Sequence, residues 1–524
     1  MQINSSHSRL CDPAAKYDAF PKVHLPHRKW PNKSLTKPPR WLPTDLRDGN
    51  QSLVQPMDSD TKLRFFQALV KLGYKEIEVS YPSSSQTDFD FTKRLIETPN
   101  ITPDDVCIQV MSPCREELIR QTVSSVLGAK KVTIHIYLAT AECFRRVVFN
   151  MTEGETLDLA VRSAKLVREL TKDSQDPAAQ STEWMLELTP EVFQDTPLEF
   201  ALRLCEAVKA AWEPTVDLPI IFNLPATVEM AMPNVFADQI ECFCESISER
   251  EKVCVSLHSH NDRGCAVAAT EMAQLAGADR VEGCLFGNGE RTGNVDLITL
   301  ALNLYTQGIH PGVNFSDINS IISIFEESTK IPVHVRAPYV GKYVFCTFTG
   351  AHQDAIRKGY KHQESTRAQK WKMPYIPLDP QDLGREHEAI IRVNSQSGKS
   401  GSAWLVKEAF HVDLPRDLEV HFSQVVQTHA DILGDEVTLQ TISNLFQTHY
   451  MLKTYTDLEL LDCKIYSKLD ILLQEGQSQD LQSGISKVYL NVHMHAIEDN
   501  TPMFRVRGQA LPKYGLRCKR FSVP

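Results

Sequence analysis

Lys252 to Gly264 reads KVCVSLHSHNDRG. Apolar residues alternate with small or polar ones up to two histidines, and a polar turn then closes on glycine. In a strand, side chains at i and i+2 point to one face. His258 and His260 therefore project together while Ser259 faces away.

Similar short apolar runs recur upstream and downstream: RWLPTDL, KEIEVSY, DVCIQVM, KVTIHIYL, EWMLELT, LPIIFNL and DRVEGCLF. Between them lie stretches with apolar residues at helical spacing, such as SDTKLRFFQALVKLGY and TPLEFALRLCEAVKAAW. Eight strands alternating with helices predict an α/β fold of the parallel (β/α)8 TIM-barrel type, with a doubly wound open sheet as the alternative.

Active sites of such barrels sit at the C-terminal ends of the strands. The uncommon polar residues are expected there. Arg47 and Asp48 follow the first run, and His135 ends the fourth. Thr189 and Glu191 follow the fifth, and Asn223 ends the sixth. His258 and His260 end the seventh, and GNGERTGN follows the eighth.

Two imidazoles on one strand face, with Asp48 from the neighbouring first strand, make a facial ligand set for a divalent cation such as Zn, Mg or Mn. Asn294 is a candidate fourth ligand. A second HxH pair, His493 and His495, has no acidic partner at a strand mouth and reads as structural. Arg47 reads equally as a cation beside the metal or as half of an ion pair in the first loop. Glu191 reads as a base or as a solvated loop charge. The glycines of GNGERTGN read as an anion cradle or as a plain turn.

The chain has 524 residues, 42% hydrophobic and 23% charged, too many for a single ordinary core. A net charge of −10 argues against a general nucleic-acid binder, and no apolar run approaches the roughly 20 residues of a membrane span. The 13 cysteines form no CxxC pair, and the start lacks the apolar core of a secretory signal. Reduced thiols in the cytoplasm are expected, with the mitochondrion as an alternative compartment. Cys242 and Cys244 read as buried thiols in a helix. Residues 1–40 form a proline- and lysine-rich arm, 41–312 the barrel, 313–395 a mixed linker subdomain and 396–450 a helical subdomain. Residues 451–524 read as a small C-terminal remnant.

TDLRDGNQSL, KEIEVSYPSSSQTDFDF, PIIFNLPATVEMAMPNVFADQIE, HNDRGCAVAATE, LAGADRVEGCLFGNGERTGNVDLITLALNLYTQG, HQDAI and EAIIRVNSQSGK closely resemble the 2-isopropylmalate synthase family, especially its fungal and actinobacterial type. The resemblance runs from about Tyr17 to about Tyr450. It implies an acyltransferase that condenses acetyl-CoA with a 2-oxo acid, by default 3-methyl-2-oxobutanoate, releasing CoA. It also implies a homodimer. Asp48, His258 and His260 then match the metal ligands, with Asn294 beside them. Arg47 would stabilise the developing alkoxide. Glu191, His352 and Tyr375 would serve the proton chemistry, the last two reaching the partner subunit's site. Met111, His135, Thr189, Asn223 and Thr227 would line the substrate pocket.

The chain departs from the family pattern in several places. TPE stands for SPE at Thr189, Met111 for leucine, YVGKY for YGGDL, and GAHQDAI for GSHQDAI. A methyl is added in one place and a more adaptable wall in another, so pocket size is left open. One alternative is a specialised-metabolism relative that extends another, aromatic, 2-oxo acid. A non-catalytic paralogue is disfavoured by retention of the whole catalytic set, and a lyase of the same superfamily by the C-terminal motifs. With only about seventy residues after Tyr450, catalysis insensitive to leucine is the expectation.

Overall fold

The computed structural model describes residues 20–21, 23–366, 370–385, 393, 399–434 and 436–450, together with four strand segments beyond them. It divides into two compact units, Met1–Tyr339 and Val340–Pro524.

The first unit is the expected barrel. Its strands are β1 (Arg40–Pro43), β2 (Glu76–Ser80), β3 (Cys107–Pro113), β4 (Lys131–Ala139), β5 (Glu183–Glu191), β6 (Ile220–Ala226), β7 (Val253–Ser259) and β8 (Arg280–Gly283). They pair in parallel in the order β1-β8-β7-β6-β5-β4-β3-β2. Across the seam between β1 and β2, Arg40 Nε donates to Glu76 Oε1 at 2.6 Å.

Helices follow the strands and carry the capping chemistry their sequences offer. Ser59–Leu72 starts where the Asp58 side chain accepts from Thr61 N–H, and it ends on Gly73 at φ 103°. Its Phe65, Phe66, Leu69 and Leu72 are buried against the barrel, each contributing about 1.5–3 kcal/mol. Glu153–Leu170 opens with a reciprocal Thr152–Glu155 capping box. The described end of the predicted arm is pinned rather than loose: Trp30 is buried and donates from Nε1 to Asp238 Oδ1 at 2.8 Å. Among the described residues no helix is long and apolar enough to cross a membrane.

Ten described cysteines are free thiols. Cys242 and Cys244 are half-buried rather than buried, because the helix Pro233–Ser246 turns its fully buried face through Phe236, Ala237, Ile240 and Phe243.

The second unit holds helices Gly350–Thr366, Lys399–Phe410, Arg416–Leu433 and Leu439–Tyr450. A core of Leu405, Val406, Phe422, Val426, Ile442 and Phe446 joins the last three. The segment read as a remnant contains a four-stranded antiparallel sheet: β9 (Leu458–Ser467), β10 (Val488–Ala496), β11 (Pro502–Ala510) and β12 (Leu516–Arg520), paired in sequence order. His493 and His495 fall in β10, and their side chains lie outside the described residues.

Candidate active site

Beyond β1 the chain does not continue as strand or simple loop. Asp45–Gly49 forms a π-helical turn, a conformation frequent at functional sites, and it presents Arg47 and Asp48 from consecutive positions. His258 comes from the end of β7. His260, one residue past the strand, pairs its backbone with Asn294 of the β8 loop. One ligand atom from each of Asp48, His258 and His260 lies within 4.8 Å of the others, and all three residues are buried.

The donors around this trio are set to leave ligand atoms free. Asn294 Nδ2 donates to Asp48 Oδ2 at 2.7 Å and to the Asn288 carbonyl at 3.0 Å, while its Oδ1 is buried without a partner. His260 Nδ1 is likewise buried without a partner. His258 Nδ1 faces Glu282 Oε2 at 3.1 Å, and its Nε2 lies 3.4 Å from Asp48 Oδ2. An imidazole steadied by a carboxylate on its far nitrogen is the usual arrangement for a metal-ligating histidine. Two nitrogens and oxygen donors around orphaned buried atoms fit a divalent cation.

The charges agree with that fit. Burial works against ionising Asp48, but Arg47 and His258 outweigh it and hold the carboxyl well below its usual range. Burial also opposes a charge on His258, yet its bonds to Asp48 and Glu282 lift it to about 10. His260 is depressed to about 4 by burial and by the neighbouring His258 charge. The surroundings of His258 thus favour positive charge at the site.

The ion-pair reading of Arg47 holds, and the pairing carries it beyond the first loop to β2. Its Nη1 bonds Asp48 Oδ1 at 2.7 Å, and its Nε bonds the fully buried Glu78 Oε2 at 2.6 Å. Those two carboxylates fix the guanidinium beside the metal trio.

His135, Thr189 and Asn223 are not at strand ends, as the sequence suggested, but inside β4, β5 and β6. They belong to a polar layer beneath the mouth. His135 Nδ1 lies 2.7 Å from Glu78 Oε1, and its Nε2 lies 2.7 Å from Thr189 Oγ1. Asn223 Nδ2 donates to the same hydroxyl at 3.0 Å and to Glu282 Oε2 at 3.2 Å. Below them Arg280 donates to Glu187 Oε2 at 2.6 Å, Glu282 Oε1 at 2.9 Å and Gln109 Oε1 at 2.6 Å. Glu78, Gln109, Glu187, Arg280 and Glu282 went unnoticed in the sequence. Their signal was a polar residue at every second position of an apolar strand. Met111 is buried in β3 and stands in register with His135.

Glu191 is the last residue of β5 and is half-buried. Burial raises its carboxyl, although Arg47, His135 and His258 pull it back down. The next residue, Val192, sits at φ 60° and ψ 36°, a left-handed conformation that costs a β-branched residue about 1–3 kcal/mol. Thr227, expected in the substrate pocket, accepts from Val192 N–H through Oγ1 at 2.9 Å.

The glycine-rich loop closes on itself: Gly293 N–H bonds the Glu290 carbonyl, and Asn294 N–H bonds that of Asn288. A Cβ on Gly289 would lie 2.3 Å from Asn294 Nδ2, and one on Gly293 would lie 1.9 Å from the Gly287 carbonyl oxygen. Only glycine at both positions lets the loop close tightly enough to seat Asn294.

His352 and Tyr375 belong to the second unit. The structure brings them together, rings stacked at 3.9 Å between centroids, with Tyr375 62% exposed and at φ 62°.

Known proteins resemble the chain along most of its length. A family model described as HMGL-like matches residues 38–324, and one described as alpha-isopropylmalate synthase, post-catalytic domain-like, matches 342–407. A 2-isopropylmalate synthase of Saccharomyces cerevisiae is 58% identical over 84% of this chain and 71% of its own length. One of Schizosaccharomyces pombe is 56% identical over 85% and 76%, and one of Pseudomonas putida 54% identical over 84% and 78%. At such identity over such a span, the chain belongs to the 2-isopropylmalate synthase family.

Proposed function

We propose that the protein condenses acetyl-CoA with 3-methyl-2-oxobutanoate to give 2-isopropylmalate and free CoA. The observation that carries this reading is the buried Asp48–His258–His260 trio, flanked by Asn294 Oδ1 without a partner and by a doubly anchored Arg47. Asp48, His258 and His260 would hold a divalent cation, Zn, Mg or Mn, with Asn294 as an added oxygen donor. A cation held there would supply Lewis acidity to the bound 2-oxo acid.

Arg47 places fixed positive charge where the keto oxygen becomes an alkoxide, and it needs no reorganisation because Glu78 and Asp48 already hold it. Glu191, its carboxyl raised by burial, is suited to take a methyl proton from the acetyl group. The methyl carbon then forms a bond to the keto carbon, and the keto oxygen gains a proton. Water cleaves the thioester and CoA leaves as the thiol. His352 and Tyr375 are assigned to the same proton transfers, and a homodimer is the proposed assembly. Met111, His135, Thr189, Asn223 and Thr227 shape the oxo-acid pocket. The proposed compartment is the cytoplasm, with the mitochondrion as the alternative. No observation favours extension of an aromatic oxo acid.

A thiol-release assay with acetyl-CoA and a panel of 2-oxo acids tests the reading. Release should be fastest with 3-methyl-2-oxobutanoate, stop on chelation and return with a divalent cation. A faster reaction with another oxo acid, or turnover that survives chelation, overturns it.

A further inference from the structure

Two hydrogen bonds and two residues of left-handed backbone lie on one path between the mouth loops. Arg291, in the β8 loop, is in the left-handed region at φ 56°. Its Nη2 donates to the Thr227 carbonyl at 2.6 Å, and its Nε donates to Asp262 Oδ1 at 2.7 Å. The Thr227 hydroxyl in turn accepts from the Val192 amide at 2.9 Å. The Val192 carbonyl is held as well, accepting from Thr196 Oγ1 at 2.9 Å and from Asp195 N–H at 3.1 Å. The Val192 side chain is buried against Ala139, Ala141 and Phe144.

A β-branched residue in this conformation persists only when its surroundings over-determine it. Here both peptide groups and the side chain of Val192 are fixed, directly after Glu191. We infer that Arg291, Thr227 and Val192 form a backbone clamp that sets the direction of the Glu191 carboxylate, with Arg291 and Val192 acting as positioning residues. The inference rests on the proposed role of Glu191. Relaxing the Val192 peptide would let β5 continue in an extended conformation and swing Glu191 away from the mouth. Arg291 acts from a different loop, the one that also carries Asn294. The clamp thereby ties the proton-accepting group to the loop that seats Asn294 against Asp48.

The test is a double-mutant cycle on the full-length metal-loaded protein, using Arg291→Ala, Val192→Gly and both together. Arg291 has a half-exposed side chain, so its removal should leave the fold intact. Each single variant should lower kcat about ten- to a hundredfold, the range a small misplacement of a reacting group produces, with KM for both substrates unchanged. The double variant should be little worse than either single one, because both act through one clamp. Arg291→Lys, which keeps a donor for the Thr227 carbonyl, should recover most of kcat. If Val192→Gly does not fold, Thr196→Val, which loses the hydrogen bond to the Val192 carbonyl, replaces it in the cycle.

Wild-type kcat in Arg291→Ala overturns the clamp, as do fully additive losses or a loss confined to KM. Glu191→Gln separates this failure from failure of the underlying reading. Full activity in Glu191→Gln sinks the role of Glu191 itself. An inactive Glu191→Gln beside an unimpaired Arg291→Ala sinks the clamp alone.

Discussion

Asn294 donates a hydrogen bond to Asp48 at 2.7 Å and keeps its own carbonyl oxygen free of partners. One side chain therefore orients the Asp48 carboxylate and offers an oxygen donor beside it. Asn294→Ala removes both effects. Cation affinity, followed by activity against buffered free metal, should fall about ten- to a hundredfold. An unchanged titration would leave Asn294 a loop-closing residue only.

Cation binding to the metal-free protein should release about one proton near pH 7. His258 is lifted to about 10, so it is protonated there and must lose that proton to become a ligand. His260, at about 4, is already neutral, and Asp48 is already ionised. Affinity should accordingly rise about tenfold per pH unit through neutrality and level off above the His258 value. Calorimetry in buffers of different ionisation enthalpy counts the protons, and a count of zero would contradict the charge state assigned to His258.

Glu282→Gln should weaken two things at once. It removes the carboxylate behind His258 Nδ1, and it leaves Arg280 with one buried counter-charge fewer. Breaking a buried pair from one side costs about 3–5 kcal/mol, so denaturant midpoints should drop clearly. Metal affinity should fall as well. A stable protein with unchanged affinity would show that Glu282 is dispensable to both.

Thr189 and Met111 should govern selectivity. Restoring serine and leucine together should change the kcat/KM ratio between 3-methyl-2-oxobutanoate and bulkier oxo acids. The expected span is about ten- to two-hundredfold, the range a methylene-sized change in a hydrophobic pocket produces. A constant ratio across the panel would mark both departures as neutral.

The barrel and the Asp48–His258–His260 cluster were legible because each left a local trace. Apolar runs at strand length alternated with helical periods, and two histidines stood two apart beside a reachable aspartate. What the sequence hid lay one layer deeper. Glu76 and Glu78, Thr133 and His135, Glu187 and Thr189, and Arg280 and Glu282 each stand two residues apart on their strands, so both members face one side. In sequence, such a pair is indistinguishable from the solvent-facing half of an amphipathic strand, because only closure of the barrel turns that face inward. The role of the β8-loop glycines was also hidden. Whether glycine relieves a clash or exposes an amide depends on how the loop folds back on itself, here on Asn294 and the Gly287 carbonyl.

The ring of charges under the mouth also constrains how the barrel assembles. Arg280, from the last strand, is fully buried and bonds groups from β2, β3 and β5 as well as its own β8. A half-formed barrel lacking β8 would bring Glu187 and Glu76 toward the interior with no counter-ion from Arg280. One lacking β2 and β3 would leave the guanidinium short of partners. Partial assemblies on either side of the molecule are thus penalised by an uncompensated interior charge, and only complete closure relieves it. The same ionic centre that steadies the site makes closure of the eight strands a cooperative event, one that separately expressed half-barrels should fail to reproduce.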